Sequence, residues 1–139
     1  MPAFVIDASV TLPWCFADEA TEATNSLLAR LKDGEEAVAP PHWLFEVGNA
    51  LLIASRRKRI SSQDVHRFLE DLEVLPIRVH PINRDRIRQR VLPLAEQYEL
   101  TVYDVAYLEL ALIESLPLAT LDNALCKASR VAGITLIEA

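Results

Sequence analysis

Short apolar runs and longer periodic segments alternate along this chain. Ala3–Ile6, Glu36–Ala39, Arg78–Ile82, Leu116–Leu121 and Ile134–Ile137 are short and rich in aliphatic residues, with Pro, Gly or Asp at their bounds. That is the signature of strands. Helical spacing fills the intervals near 8–17, 19–33, 42–58, 62–74, 84–99, 103–115 and 122–132. Strands separated by helices imply right-handed crossovers and a mostly parallel sheet, so one α/β domain over residues 1–139 is expected. Local signals agree. Gly34 stands where a helix C′ glycine belongs, Ser61 to Asp64 offer a capped start, and Thr101 with Asp104 forms a T-x-x-D capping pattern. Pro13 predicts a kink or a late start for the first helix.

Composition narrows the class. At 139 residues and 51% hydrophobic, with three glycines and eight prolines, the chain is long and apolar enough for its own core. Its apolar runs are broken by charges well short of the ~20 residues that a membrane span requires. The opening MPAFVIDASV lacks a basic n-region and meets an acid at Asp7, unlike a secretory signal. Cys15 and Cys126 stand alone, without zinc spacing. A cytoplasmic protein with reduced thiols is expected.

The net charge of −6 gives no bulk attraction to nucleic acid. Two local clusters run against it: Arg56, Arg57, Lys58 and Arg59, then Arg84, Arg86, Arg88 and Arg90. Each reads equally as a solvated helix face. The second cluster spreads around its helix, so its members cannot all face one groove.

In open parallel sheets ligands bind beyond the carboxyl ends of the strands. Asp7 follows the first strand and Asp122 the fourth, and each also begins a helix, where an N-cap would explain it. Glu46 sits near the start of an otherwise apolar helix. Asn49, three residues on, shares its side and is placed to hydrogen-bond whatever Glu46 holds. Asp104 opens a helix that is apolar on nearly every face, so that helix is expected to be buried. Converging carboxylates without cations repel, and a hard divalent ion relieves them. All-oxygen donors favour Mg²⁺ or Mn²⁺ over zinc.

Four ordered motifs now stand together: Phe4-Val5-Ile6-Asp7-Ala8-Ser9, Glu46-Val47-Gly48-Asn49-Ala50-Leu51, Tyr103-Asp104-Val105-Ala106-Tyr107 and Thr120-Leu121-Asp122. With the terminal Gly133-Ile134-Thr135-Leu136 strand, the set resembles the PIN-domain nucleases, above all the short VapC-type toxins of toxin–antitoxin pairs. The resemblance implies a three-layer α/β/α sandwich around a mostly parallel five-stranded sheet. It implies a ribonuclease using one or two Mg²⁺ or Mn²⁺ ions at Asp7, Glu46, Asp104 and Asp122, with Ser9 and Thr120 orienting ligands or water beside them. The expected reaction is endonucleolytic cleavage of RNA by metal-activated water, leaving a 3′-hydroxyl and a 5′-phosphate.

The same resemblance implies a homodimer and a cognate antitoxin that covers the N-terminal helices and the acidic cleft. Arg56, Arg57, Lys58 and Arg59 end the helix carrying Glu46 and are candidates for RNA contact, though they also suit that helix's C-terminal dipole. His42 is placed to approach the cleft, but a lone histidine is more often structural. Trp14, Phe16, Trp43 and Phe45 are expected in the core. A dehalogenase-type phosphatase would need an acid at position 9, which is Ser, and a receiver domain would need paired acids after the first strand. A PIN nuclease of RNA processing and a silent PIN-like binding module are the remaining alternatives.

Overall fold

The computed structural model describes residues 3–137; Met1, Pro2, Glu138 and Ala139 lie outside the described residues. Five strands, β1 (Ala3–Ile6), β2 (Glu36–Ala39), β3 (Ile77–Val79), β4 (Leu118–Ala119) and β5 (Leu136–Ile137), form one sheet in the order β3-β2-β1-β4-β5. Every neighbouring pair is parallel. Phe4, Val5, Ile6, Ala37, Val38, Ala39, Leu118 and Ala119 are fully buried, as strands must be when helices cover both faces of a sheet.

The sequence places β1 and β2 to the residue. β3 ends at Val79 rather than Ile82, because His80 donates its amide to Ala39 and Pro81 next has none to offer. β4 is shorter than expected. Pro117 accepts from the Val5 amide but cannot donate, so the two-way ladder starts at Leu118.

The helices are α1 (Ala8–Thr11), α2 (Glu22–Lys32), α3 (Trp43–Arg56), α4 (Ser62–Glu73), α5 (Arg84–Arg86), α6 (Leu92–Tyr98), α7 (Val102–Glu114) and α8 (Asn123–Val131). Pro13 breaks the first helical stretch into α1 and a 3₁₀ turn over Leu12–Trp14. Capping boxes start α2 at Thr21 and Thr24 and α4 at Ser61 and Asp64. Gly34 has φ +99°, the left-handed conformation that ends α2. Phe16 and Trp43 are buried and Trp14 is half-buried, but Phe45 is 82% exposed on the outer face of α3.

Between α5 and α6 the helix widens into a π turn over Ile87–Val91, where the Leu92 amide reaches back to the Ile87 carbonyl. This arm docks on α7, the most buried helix, through an acid that the hydropathy pattern hides. Glu109 is 0% exposed. Arg86 meets it with two hydrogen bonds, at 2.6 Å to Oε1 and 3.0 Å to Oε2, and Arg90 donates to Oε2 at 3.1 Å.

Removing one partner from a buried ion pair strands the other charge. Glu109→Ala is therefore expected to lower the unfolding free energy by about 3–5 kcal/mol. Urea denaturation checks this, and a loss below about 1 kcal/mol, typical of an exposed pair, would count against a structural role for Glu109.

Candidate active site

From β1 the chain steps one way across the sheet to β2 and β3, and then fills the other side of β1 with β4 and β5. Right-handed crossovers send the helices of the two halves to opposite faces, leaving a crevice where the carboxyl ends of β1 and β4 meet. Register makes the next step unavoidable. Val5 pairs with Leu118 and Ile6 with Ala119, so Asp7 emerges beside Thr120.

Asp7 is 5% exposed. Its Oδ1 accepts from the Ser9 hydroxyl at 2.6 Å and the Val10 amide at 3.2 Å, and its Oδ2 accepts from the Thr120 hydroxyl. Ser9 Oγ in turn accepts from the Leu121 amide at 2.8 Å, and Thr120 Oγ1 from the Asp122 amide at 3.0 Å. The two hydroxyls thus tie the ends of β1 and β4 together around one carboxylate. The cap reading of the sequence holds for both aspartates: Asp7 caps α1 through Val10, and Asp122 caps α8 through the Leu125 amide at 2.8 Å. Capping occupies one oxygen of Asp122 and leaves its exposed carboxylate beside the crevice.

The second pair of acids arrives on α3 and α7. Asp104 lies in the first turn of α7, its amide donating to the Thr101 hydroxyl at 3.1 Å. One turn on, the Tyr107 hydroxyl donates to Glu46 Oε1. Burial first, then that hydrogen bond, then the charges of Glu46, Asp7 and Asp104 push the Tyr107 phenol far up, so it remains a neutral donor. Three of the four acids are therefore felt at one phenol. The fourth, Asp122, is felt at Asp7.

His42 completes this side. Its Nε2 lies 2.8 Å from the Tyr103 carbonyl, an acceptor only, so Nε2 carries the proton. Glu46 Oε1 stands 3.5 Å from the same nitrogen. The ring also packs edge-on to Tyr107, with centroids 5.1 Å apart. The sequence alone does not mark Tyr107 as a site residue. Its only sign was the spacing Asp104-x-x-Tyr107, which puts both on one face of α7.

Other expected residues lie elsewhere. Asn49 is exposed beside Phe45 and Leu52, on a shallow apolar surface. Arg56, Arg57 and Lys58 are exposed at the far end of α3, about 15 Å along its axis from Glu46. Arg59 is held by Asp18 at 2.8 and 2.9 Å and by Glu19 at 2.7 Å, with its guanidinium 4.0 Å over the Phe16 ring.

Among the described residues no arginine or lysine pairs with Asp7, Glu46, Asp104 or Asp122. Nor are three Asp, Glu, His or Cys side chains gathered closely enough to hold an ion unaided. This open donor set suits Mg²⁺, which keeps much of its water and takes one or two carboxylates together with phosphate oxygens. It does not suit zinc, which takes its protein ligands in a closed set. The chemistry of Asp7 agrees: burial outweighs its hydrogen bonds and, with the charge of Asp122, raises its pKa from 3.8 to about 6.

Residues 4–131 match the family model described as PIN domain. No curated relative matches the chain in sequence. Among solved structures it is similar to a protein of Pyrobaculum aerophilum, at 18% identity and TM-score 0.67 over 99% of this chain and 89% of that one. It is similar to a chain of a toxin–antitoxin complex from Klebsiella pneumoniae at 17% and 0.62, over 86% of each. It is also similar to a chain of the VapBC2 complex from Rickettsia felis, solved with a DNA fragment from the promoter, at 12% and 0.68 over 98% of each.

Because folding raises the Asp7 pKa, the folded chain binds that proton more tightly than the unfolded chain does. Stability from this group is full below about pH 4 and is lost as pH rises through about 6, a cost near 3 kcal/mol at neutral pH. Asp7→Asn is therefore expected to raise the melting temperature at pH 7.5 in EDTA, with the gain vanishing near pH 4. Thermal melts across that range check it, and a variant less stable than wild type at pH 7.5 would refute the assignment.

Proposed function

Given that this chain belongs to the PIN-domain family, we propose that it is a divalent-metal-dependent endoribonuclease and the toxin of a toxin–antitoxin pair. Nuclease chemistry is general among PIN domains. The observation that carries the reading here is Asp7, a desolvated carboxylate raised to about pKa 6 beside Asp122 and paired with no arginine or lysine among the described residues. A buried acid in that state calls for a cation that the protein's own residues do not supply.

Asp7, Asp104, Asp122 and Glu46 would hold one or two ions, Mg²⁺ or Mn²⁺. When bound, the metal supplies a water of lowered pKa and neutralises charge on the phosphodiester. The chain's part is orientation. Ser9 and Thr120 fix both oxygens of Asp7, and Tyr107 fixes Oε1 of Glu46 and leaves Oε2 free. His42 Nε2 is committed as a donor to Tyr103, so it does not accept the proton of an attacking water. In the hydrolysis the water oxygen bonds to phosphorus as the bond to the 3′-oxygen breaks, leaving a 3′-hydroxyl and a 5′-phosphate.

Two of the structures to which the chain is similar come from toxin–antitoxin assemblies, which supports an antitoxin partner. An acidic crevice whose carboxylates have no arginine or lysine partner among the described residues invites one from that partner. The exposed Leu44, Phe45 and Leu52 of α3, with Val79 of β3, supply an apolar face of the kind that a homodimer or an antitoxin covers.

Cleavage of a labelled mixed RNA pool tests the reading, comparing wild type with Asp104→Asn in Mg²⁺, Mn²⁺ and EDTA. Metal-dependent cutting by wild type, reduced at least about a hundredfold in the variant, is expected for loss of a metal ligand. Equal cutting by both proteins, or cutting that survives EDTA, would sink it.

A further inference from the structure

The second arginine cluster is divided by the fold. Arg86 and Arg90 turn inward to Glu109, while Arg84 and Arg88 are exposed. Arg84 has no ion-pair partner among the described residues, and Arg88 has only Asp85, at 3.8 Å. Helical spacing sets Ile87 and Val91 on the stripe between these two arginine pairs. Those two residues line a crevice of about 150 Å³ whose other walls include Pro40, His42, Tyr103 and Ala106.

Tyr103 is the wall that stands out. It is 62% exposed although it immediately precedes Asp104 in a buried helix. Its carbonyl is fixed by His42 Nε2, and its ring leans on the His42 ring with centroids 5.6 Å apart. The result is a supported aromatic face beside an apolar slot, joined to the acidic crevice through His42 and walled by the helical arm that also carries Arg84 and Arg88. Flat aromatic ligands stack on such faces, and cations beside them suit a phosphate backbone.

We infer that this crevice is a nucleobase subsite. One unpaired base of a single-stranded RNA stacks on Tyr103 and fills the slot between Pro40, Ile87 and Val91, while Arg84 and Arg88 meet the flanking phosphates. The site rests on the ribonuclease reading of the adjoining carboxylates and adds to it a pocket for one base of the substrate. A duplex keeps its bases paired and cannot offer one to a side slot.

Fluorescence anisotropy in EDTA, where no cleavage occurs, tests this with a short labelled oligouridylate, an abasic ribose-phosphate oligomer of equal length, and a duplex. Wild type is expected to bind the oligouridylate best. Tyr103→Ala should weaken that binding roughly 5- to 150-fold and bring it close to the abasic level, while Tyr103→Phe keeps it. Arg84→Ala and Arg88→Ala should each flatten the salt dependence of log K by about 0.7.

Equal affinity of wild type for the abasic and uridine oligomers, or undiminished binding by Tyr103→Ala, overturns the inference. So does an absence of binding to any oligomer by wild type, which would leave the crevice to a protein segment. Tyr103-dependent binding without metal-dependent cleavage would uphold the subsite and sink the nuclease reading. Cleavage without Tyr103 dependence would do the reverse.

Discussion

Two parallel strands that leave the sheet toward opposite faces cannot close over their own ends. The carboxyl termini of β1 and β4 stand in that position, and the register that pairs Ile6 with Ala119 delivers Asp7 next to Thr120. The rest of the site follows from having to hold a carboxylate there, out of water. Hydroxyls rather than cations do the holding: Ser9 and Thr120 grip both oxygens, Ser9 itself pinned by the Leu121 amide of the opposite loop and Thr120 by the Asp122 amide of its own. Hydrogen bonds from neutral donors leave the negative charge in place. An arginine would have neutralised it, and the crevice would then have no use for an external ion.

Much of this was legible in the sequence because it is local. The apolar runs of β1 and β2 are strands buried on both faces, and their boundaries fall where an acid or a proline ends the run. The acids at strand ends and first helical turns could be picked out for the same reason. What could not be read depends on partners far along the chain. Tyr107 meets Glu46 across 61 residues, Arg86 meets Glu109 across 23, and Arg59 meets Asp18 across 41. A helix whose middle is apolar but for Glu109 looks buried, and α7 is buried. Nothing in its pattern reveals that the acid goes inside with two arginines to meet it. Pro117 and Pro81 were visible too, but how many ladder bonds each would cost was set by the register of the strand alongside.

The charge distribution shows why a net value misleads for a protein of this kind. Arg86, Arg90 and Arg59 are spent on internal pairs, so the basic clusters seen in sequence are thinner on the surface than their spelling suggests. The acids divide in a similar way. Glu109 is neutralised within the fold, whereas Asp7 and Asp122 at the strand ends and Glu46 and Asp104 in first helical turns pair with no arginine or lysine among the described residues. The field that a ligand meets comes from what remains after these pairings: an anionic crevice with Arg84 and Arg88 on a nearby helical arm.

The early end of β3 carries a further consequence, for how this chain can associate. β3 is an edge of the sheet and contributes only three residues, with Pro76 before it and Pro81 shortly after. Its central Arg78 is held between Glu36 and Glu114. A short edge flanked by prolines and carrying a charge gives an incoming strand few amides to zip against, so runaway edge-to-edge growth is blocked there. At this border of the sheet the chain is left to recognise other molecules through side chains on its helices rather than by lending out its backbone.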